Sequence, residues 1–430
     1  MSSSIYLMFE DTPVLEIQVD TGFMKVLDDR LLPYRFRDSI LHVLDYSEIK
    51  SHYDDVQRQI AIKKNNALFI NWLACRTLIL SQRYAKKLYQ AYRLVQRDDE
   101  VSRAKLALTY KALSLMDNYW VTNDTTVKWS DINLRHNSLH KAIAQIQLHG
   151  RSMTLDGTPD PTAFSTNGAY AKAWHRDADG TLWLYKAGDR NSEDRIEVMC
   201  SNILDRCNVA HCHYEERFDD DLRVCACPSM TSDKISIMDG DTFSSYCNHH
   251  NLDVESELLR IDPDGYWKML IVDYLISNRD RHTQNWGLYY NSDSMEILGL
   301  HPLFDHNNAF DIDTMNDPSY GSHFRDSTLK QNALYAMKQV DFHFTAPITR
   351  DLFITERHYK SFISKADELG VQVKPLTLDD LYVQYGGFKK YKDTVLSLVP
   401  DSVKSDKDLV IAPLVSALEM VQHTHNCYRV

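Results

Sequence analysis

The chain is predicted to have an α+β fold in which strands and helices occupy separate stretches. Three observations indicate this class. Apolar and polar residues alternate in residues 4–28, as in half-buried strands. The spacing of apolar residues becomes helical across residues 38–150. A strand–turn–strand pattern follows in residues 164–187, and the last part of the chain is again mostly helical. Runs of strands followed by runs of helices are typical of α+β proteins.

The composition is that of an ordinary globular protein, with 430 residues, 43% of them apolar and 25% charged. The 48 basic and 60 acidic residues give a formal net charge of −12, which argues against a broad surface for nucleic acid or anionic membranes. No apolar run reaches the roughly 18 residues that a membrane span requires. The first residues also lack the features of a signal peptide. We therefore expect a cytoplasmic protein with no membrane contact and no direct contact with nucleic acid.

Six of the eight cysteines fall between residues 200 and 247. Without a secretory signal we expect free thiols. The zinc donors in this stretch are His211, Cys212, His213, Cys225, Cys227 and Cys247. None of these cysteines belongs to a Cys-x-x-Cys pair, so burial as small apolar side chains is favoured over a zinc site.

Residues 1–150 are predicted to form an accessory domain of strands and helices. Two or three antiparallel strands fit the alternation in residues 4–28. Residues at helical spacing further on include Leu68, Trp72, Cys75 and Leu78. The aromatic residues expected to pack between these helices are Tyr119, Trp120 and Trp129.

The next stretch, residues 151–250, is predicted to form a smaller, strand-containing lobe. Lys186 lies near the end of the second strand, and Ser192 is suited to cap the helix that follows. Glu197 on that helix can reach a lysine on the neighbouring strand. A strand lysine paired with a helix glutamate fixes the nucleotide phosphates in kinase-like folds. The other acidic residues within one turn are Glu193 and Asp194.

Two polar loops follow in residues 251–430. The first contains Asp280 and Asn285, five residues apart, and the second contains Asp305. Asp280 is suited to accept a proton from an attacking hydroxyl, whereas Asn285 and Asp305 offer the oxygen ligands that Mg²⁺ prefers. His282 is expected either to support the loop through a backbone hydrogen bond or to act as a base. The neighbouring arginines, Arg279 and Arg281, either order the loop, contact phosphate or lie at the surface.

These loops resemble those of a known kinase family. The string Asp280-Arg-His-x-x-Asn285, followed by Phe304-Asp305, resembles the HipA-type serine/threonine kinases. Upstream, Ser165-x-x-Gly168-Ala-x-x-Lys172 resembles the phosphate-covering loop of the same family. The resemblance implies a two-lobed, protein-kinase-like fold behind an accessory domain. The implied domains are residues 1–150 (accessory), 151–250 (β-containing N-lobe) and 251–430 (mostly helical C-lobe).

The resemblance also implies an activity. ATP and Mg²⁺ would be the cofactors, and the γ-phosphoryl group would pass to a serine or threonine hydroxyl. The residues expected to take part in catalysis are Asp280, Lys186 and His282. Those expected to bind the nucleotide are Lys186, Glu197, Ser165, Gly168 and Lys172, and those expected to hold the metal are Asn285 and Asp305. In the family the loop serine can be phosphorylated by the enzyme itself, which disables the nucleotide site; Ser165 has that position.

The implied partners are a protein substrate, such as a translation component, and a small antitoxin.

Three alternatives to this function remain open. The Asp-Arg-His-x-x-Asn string also occurs in phosphatidylinositol kinases, which makes a lipid substrate the alternative within the class, although the acidic net charge argues against it. A pseudokinase scaffold is the alternative without an activity. A metal-dependent phosphohydrolase is the third, with a cluster formed by Asp280, His282, His301, Asp305 and His306.

Overall fold

The computed structural model describes the chain between residues 4 and 309, with gaps. The described residues are 4–137, 139, 141–165, 170–188, 193–206, 209–266, 268–269, 278, 281–307 and 309. They fall into two compact units. Unit 1 comprises Met1–Ala187, Glu215–Glu257 and Gly287–His301, and unit 2 comprises Gly188–Tyr214, Leu258–Trp286 and Pro302–Val430. The helices predicted beyond residue 309 lie outside the described residues, and the domain boundaries predicted at 150 and 250 stay predictions.

The described strands and helices follow one another in this order: β1 (Ser4–Phe9), β2 (Thr12–Gln18), β3 (Met24–Val26), a 3₁₀ turn (Tyr46–Glu48), α1 (His52–Ala74), α2 (Ala85–Ala91), α3 (Glu100–Thr109), β4 (Tyr119–Thr122), α4 (Trp129–Ile132), α5 (Lys141–Gln147), α6 (Pro161–Phe164), β5 (Ala171–Arg176), β6 (Leu182–Ala187), α7 (Glu193–Arg206), β7 (Glu215–Asp219), β8 (Leu222–Pro228), β9 (Ile235–Asp239), α8 (Gly240–His249), α9 (Val254–Ile261), β10 (Gly287–Asn291) and β11 (Ile297–Leu300). Among the described helices, none has both the length and the apolar character needed to cross a membrane. The mixture of strands and helices confirms the predicted α+β class.

Unit 1 begins with a four-stranded antiparallel sheet in the order β3-β2-β1-β4. Its first three strands confirm the prediction for residues 4–28. The fourth corrects the expectation that Tyr119 and Trp120 pack between helices, since they lie on β4, opposite Phe9 and Met8 of β1. Aromatic and β-branched residues favour strands. At four residues, however, β4 is too short for its period to be recognised in the sequence.

The second sheet of unit 1 has the order β5-β6-β8-β7 and is antiparallel throughout. One face forms an apolar core with residues in and just after α5. The core residues are Ala144, Leu148, Ala171, Ala173, Tyr185, Ala187, Val224 and Ala226. This arrangement confirms the strand–turn–strand predicted at residues 164–187. Cys225 and Cys227 on β8 are buried and form no disulfide, as predicted.

The first and second sheets of unit 1 share an aromatic core. Trp120 of β4 and Trp129 of α4 pack in one cluster with Trp174 of β5 and Leu182 of β6. The indole N–H of Trp120 donates to the carbonyl of Glu10 at 2.7 Å. The polar atom of the largest buried ring is therefore satisfied, and residues before and after position 150 contribute to the same core.

The third sheet of unit 1 has the order β11-β10-β9 and joins distant parts of the chain. Gly287 begins β10, and a Cβ there would lie 2.4 Å from the carbonyl oxygen of Met238 on β9. Only glycine fits that approach. The helix α8 starts directly after β9 because the Asp239 side chain accepts a hydrogen bond from the Thr242 amide at 2.7 Å.

A buried ion pair holds β4 against the end of α1. The Arg76 guanidinium donates to both carboxylate oxygens of Asp117, at 2.7 and 2.8 Å. It also donates to the carbonyls of Ala112 and Tyr119. The side chains are only 7% and 13% exposed. Because every partner is inside the protein, removal of the arginine leaves a buried carboxylate without its counter-charge.

We expect Arg76→Met to lower the free energy of unfolding by about 3 kcal/mol or more. The measurement is urea-induced unfolding followed by tryptophan fluorescence, with Arg30→Met as the matched control. Arg30 pairs with Asp28 at 2.8 Å but is 81% exposed, so its loss should leave the free energy of unfolding essentially unchanged. Equal effects of the two substitutions would contradict a structural role for the buried pair.

Candidate functional site

Two lysines face each other on neighbouring strands of the second sheet. Lys172 on β5 is directly opposite Lys186 on β6, and the two residues are 7% and 6% exposed. Opposed residues of an antiparallel pair point to the same face. The next pair along, Ala173 and Tyr185, belongs to the apolar core on the other face. The two lysine side chains therefore leave the sheet on the side away from that core.

The two buried lysines each bring a positive charge to this face of the sheet. Like charges at directly opposite positions repel each other, and buried charges need opposite charge or hydrogen bonds around them. An anion with several oxygen acceptors, such as a phosphate group, supplies both. The β5–β6 pair is thus chemically suited to hold phosphate, and contact of Lys172 and Lys186 with a nucleotide stays a prediction.

Ser165 lies at the C-terminal end of α6, where the predicted phosphate-covering loop begins. Its backbone N–H donates to the carbonyl of Pro161 at 2.9 Å. The preceding residue, Phe164, is fully buried. The rings packed around Phe164 are those of Tyr89, Tyr92 and Tyr110. This packing fixes the start of the loop; Gly168, further along, lies outside the described residues.

In unit 2 the helix α7 holds the backbone of the loop that contains Asp305. The Glu197 Oε2 accepts a hydrogen bond from the backbone N–H of His306 at 2.9 Å. One turn later, the Cys200 thiol donates to the His306 carbonyl at 3.9 Å. Residues three apart share one face of a helix, so both groups reach the same loop. Glu197 and His306 are each 1% exposed, which makes this a buried, water-poor attachment.

Arg281 joins the two predicted metal-binding loops. Its guanidinium Nη1 donates to the carbonyl of Asn285 at 2.5 Å and to the carbonyl of Phe304 at 2.8 Å. Phe304 immediately precedes Asp305. Of the three roles considered for this arginine, the structure supports the ordering of the loop. The two hydrogen bonds from this one nitrogen position Asn285 and Asp305 relative to each other.

The first of these loops is a tight turn. Asn285 is 4% exposed, and its backbone N–H donates to the His282 carbonyl at 2.8 Å. The amide of Gln284 donates to Nδ1 of the exposed His282 ring at 3.2 Å. His282 therefore makes the backbone hydrogen bond expected of a residue that supports the loop. Asp280 lies outside the described residues.

The oxygen donors around Asp305 fit a hard divalent cation. Asp305 has a left-handed backbone with φ of 61°, a conformation that aspartate tolerates better than most residues. The amide nitrogen of Asn307 donates to Asp305 Oδ1 at 3.2 Å. Among the described residues, the buried Oδ1 of Asn307 has no hydrogen-bond partner. A half-buried carboxylate beside a buried amide with a spare oxygen is the kind of donor set that Mg²⁺ takes, in addition to Asn285.

The structure brings the predicted site residues together in two groups. Unit 1 contains Ser165, Lys172 and Lys186, and unit 2 contains Glu197, His282, Asn285 and Asp305. The predicted pairing of Lys186 with Glu197 joins the two units and stays a prediction. The hydrogen bonds of Glu197 and Cys200 with the backbone of His306 were not predicted from the sequence. The spare oxygen of Asn307 was also missed, although its position two residues after Asp305 was a usable signal.

The comparisons with known proteins agree with the kinase resemblance. Residues 166–345 match the family model described as HipA-like kinase. The match confirms the resemblance to HipA-type kinases for this region of the chain. No curated protein sequence matches the chain.

Two solved structures show similarity. One is the proinflammatory kinase CtkA of Helicobacter pylori, with 16% identity, a TM-score of 0.29, and coverage of 47% of this chain and 88% of CtkA. The other is HipA of Shewanella oneidensis MR-1, solved as a toxin–antitoxin complex with HipB and operator DNA. It has 9% identity and a TM-score of 0.41, with coverage of 85% of this chain and 95% of HipA. At TM-scores below 0.5, neither similarity defines the fold of this chain.

Removal of the Glu197 carboxylate should release the Asp305 loop. In Glu197→Ala the buried N–H of His306 loses its acceptor, which costs about 1–3 kcal/mol locally. Hydrogen exchange measured by mass spectrometry should therefore be faster in the peptide that contains His306. Glu197→Gln keeps an oxygen acceptor and is the matched control, with exchange close to that of the natural protein. Equal exchange in Glu197→Ala and Glu197→Gln would contradict the hydrogen bond.

Proposed function

We propose that this protein is an ATP- and Mg²⁺-dependent serine/threonine protein kinase of the HipA type. The observation that carries the proposal is the match of residues 166–345 to the HipA-like kinase family. The matched range includes Lys172, Lys186, Glu197 and both metal-binding loops. The buried lysine pair of unit 1 and the buried oxygen donors of unit 2 support it, since phosphoryl transfer depends on fixed charges around the phosphates.

In this proposal Asn285 and Asp305 hold Mg²⁺, and Asn307 offers a further oxygen. The ion, when bound, neutralises charge on the nucleotide phosphates. Arg281 keeps the two loops that carry these residues in register. Lys172 and Lys186 hold the phosphates by charge, while Glu197 holds the Asp305 loop and is the proposed partner of Lys186.

The reaction itself is a direct transfer. The substrate hydroxyl oxygen attacks the γ-phosphorus of ATP, the new oxygen–phosphorus bond forms, and the bond between the γ-phosphorus and the bridging oxygen of ADP breaks. Asp280 accepts the hydroxyl proton, and ADP leaves with the negative charge. His282 supports the turn between Asp280 and Asn285 rather than exchanging that proton, because its Nδ1 accepts from the Gln284 amide.

Ser165 is the proposed site of self-phosphorylation. A phosphate there adds nearly two negative charges at the root of the loop that leads to Lys172. Those charges would compete with the nucleotide phosphates for the lysine pair. Because Phe164 fixes the root of the loop, the added phosphate would stay near this face of the sheet, and modification would inactivate the enzyme.

The proposed partners are a protein substrate and a small antitoxin. Shewanella HipA was solved with HipB and its operator DNA, and a comparable antitoxin is proposed here on the strength of the family match. The expectation that this chain makes no direct contact with nucleic acid has no support from the comparisons. A cytoplasmic location is proposed on the same family ground.

The kinase proposal predicts transfer of label from γ-labelled ATP to protein. Lys186→Met should lower the rate by about 100-fold or more because it removes a charge from the phosphates. Asp280→Ala should lower it by about 100- to 10,000-fold because it removes the proton acceptor. The measurement is incorporation of label by purified protein in the presence of Mg²⁺, with and without a generic protein substrate.

The matched controls are Lys234→Met and Asp293→Ala, which remove an exposed lysine–aspartate pair in unit 1. Both variants should keep the natural rate. Label that survives Lys186→Met and Asp280→Ala would refute the kinase site. Transfer to phosphoinositide vesicles but not to protein would indicate a lipid kinase. Nucleotide-dependent stabilisation without transfer would indicate a pseudokinase, and phosphate release without nucleotide a phosphohydrolase.

Self-phosphorylation predicts that Ser165→Ala abolishes label on the protein's own loop. After incubation with ATP, the natural protein should lose activity towards a protein substrate, whereas Ser165→Ala should keep it. Ser130→Ala, which changes an exposed serine far along the chain, is the control and should behave as the natural protein. Phosphosite mapping that finds label elsewhere, with equal loss of activity in Ser165→Ala, would contradict the role of Ser165.

A further inference from the structure

Three side chains that can bind a metal ion converge in unit 2, and none of them belongs to the proposed Mg²⁺ ligands. Asp205 lies in the last turn of α7, and His211 and His213 follow a short connection. The Asp205 Oδ1 lies 3.7 Å from His211 Nε2 and 3.2 Å from His213 Nε2. The three ligand atoms are all within 4.8 Å of one another. Among the described residues, the cysteines considered as zinc donors do not belong to this group.

The His211 ring is oriented as in metal-binding histidines. Its Nδ1 lies 2.7 Å from the carbonyl of Val209. A carbonyl can only accept, so Nδ1 carries the proton and the neutral ring presents a lone pair on Nε2. Metal-bound histidines commonly donate their other N–H to a backbone carbonyl in this way, which fixes both tautomer and orientation. The hydrogen bond to the Val209 carbonyl thus orients the Nε2 lone pair so that it can bind a metal ion.

The Asp205 carboxylate faces both imidazoles. The Nε2 of neutral His211 and the carboxylate of Asp205 are both acceptors, and they face each other across 3.7 Å. The Ser201 hydroxyl accepts a hydrogen bond from the Tyr214 amide and donates one to His211 Nε2 at 3.1 Å. This bond does not offset the charge of the Asp205 carboxylate. A cation between the two acceptors turns this repulsion into attraction. The cation would replace the Ser201 hydroxyl as the partner of His211 Nε2.

Burial distinguishes this cluster from an ordinary surface ion pair. The His211 side chain is 3% exposed, whereas those of Asp205 and His213 are 42% and 68% exposed. One ligand is therefore rigid and two lie at the surface, where an ion can enter from solvent. The rings of His211 and His213 are 4.7 Å apart between centroids, close enough for both to turn towards one ion.

We infer that Asp205, His211 and His213 form a binding site for Zn²⁺ or a similar transition-metal ion. Two imidazoles and one carboxylate suit such ions, whereas Mg²⁺ prefers a set of oxygens alone. Three protein ligands leave a fourth position for water. The site is separate from the Mg²⁺ site of the proposed kinase and does not require that the kinase proposal be right.

The site would clamp a connection that leads to Asp305. The Leu303 amide donates to the Ala210 carbonyl at 3.0 Å, and the Cys212 amide donates to the Leu303 carbonyl at 2.8 Å. His211 forms a parallel bridge with Leu303, two residues before Asp305. A metal ion that ties residues 211–213 to the end of α7 would therefore stabilise the strand-like pairing beside the Asp305 loop.

The test is equilibrium binding of Zn²⁺ to the full chain without a histidine tag. It is measured by calorimetry in excess Mg²⁺, so that oxygen-only sites are already filled, and repeated with Co²⁺, whose visible absorption reports its ligands. We expect one ion per chain, and a loss of affinity of at least about tenfold in His213→Ala and in Asp205→Ala. His213 and Asp205 are exposed enough for these changes to leave the fold intact.

His136→Ala is the matched control, because His136 also pairs with an aspartate, Asp233, at 2.9 Å on an exposed surface. It should bind Zn²⁺ as the natural protein does. The inference is overturned if the natural protein binds no Zn²⁺ under these conditions, or if His213→Ala binds it as tightly as His136→Ala. Phosphoryl transfer does not enter either outcome, so the metal site and the kinase proposal can fail independently.

Discussion

Buried charge is the constraint on which both units depend. In unit 1 the β5–β6 pair brings two lysines side by side below the surface, and in unit 2 the carboxylate of Glu197 lies fully buried on α7. A charge removed from water is costly unless nearby dipoles or opposite charges replace the lost hydration. For Glu197, part of the lost hydration is replaced by the hydrogen bond from the backbone N–H of His306. The fold therefore places these charged side chains in surroundings of low dielectric constant, where water screens them little.

Much of unit 1 could be predicted from the sequence because its signals are local. The alternation in residues 4–28 predicted β1–β3, and the position of Lys186 near the end of a strand was correct. The strand β4 was missed because its pairing partner, β1, is far away in the chain, and long-range pairing overrides weak local preference. The strand β7 pairs with the adjacent β8, but its residues are mostly charged and exposed, so no apolar alternation marks it in the sequence.

The site was less predictable, because its supports are contacts between distant residues. The residue types at Asn285 and Asp305 follow from the motif, but the Arg281 bridge to Asn285 and Phe304 depends on how the two loops fold together. The zinc donors considered from the sequence were His211, His213 and four cysteines, and the cysteines are buried thiols. The decisive acid, Asp205, is on a helix, and no spacing rule connects it to His211 and His213.

The tryptophan cluster of unit 1 has a consequence for how this protein can be divided. Trp120 and Trp129 cover Trp174 and Leu182, so the first 150 residues supply one wall of the apolar interior beside β5 and β6. A fragment that began after residue 150 would present those large apolar side chains to water and tend to self-associate. Gene fusions or natural truncations at this point would thus be expected to yield an insoluble product, whatever activity the remaining residues encode.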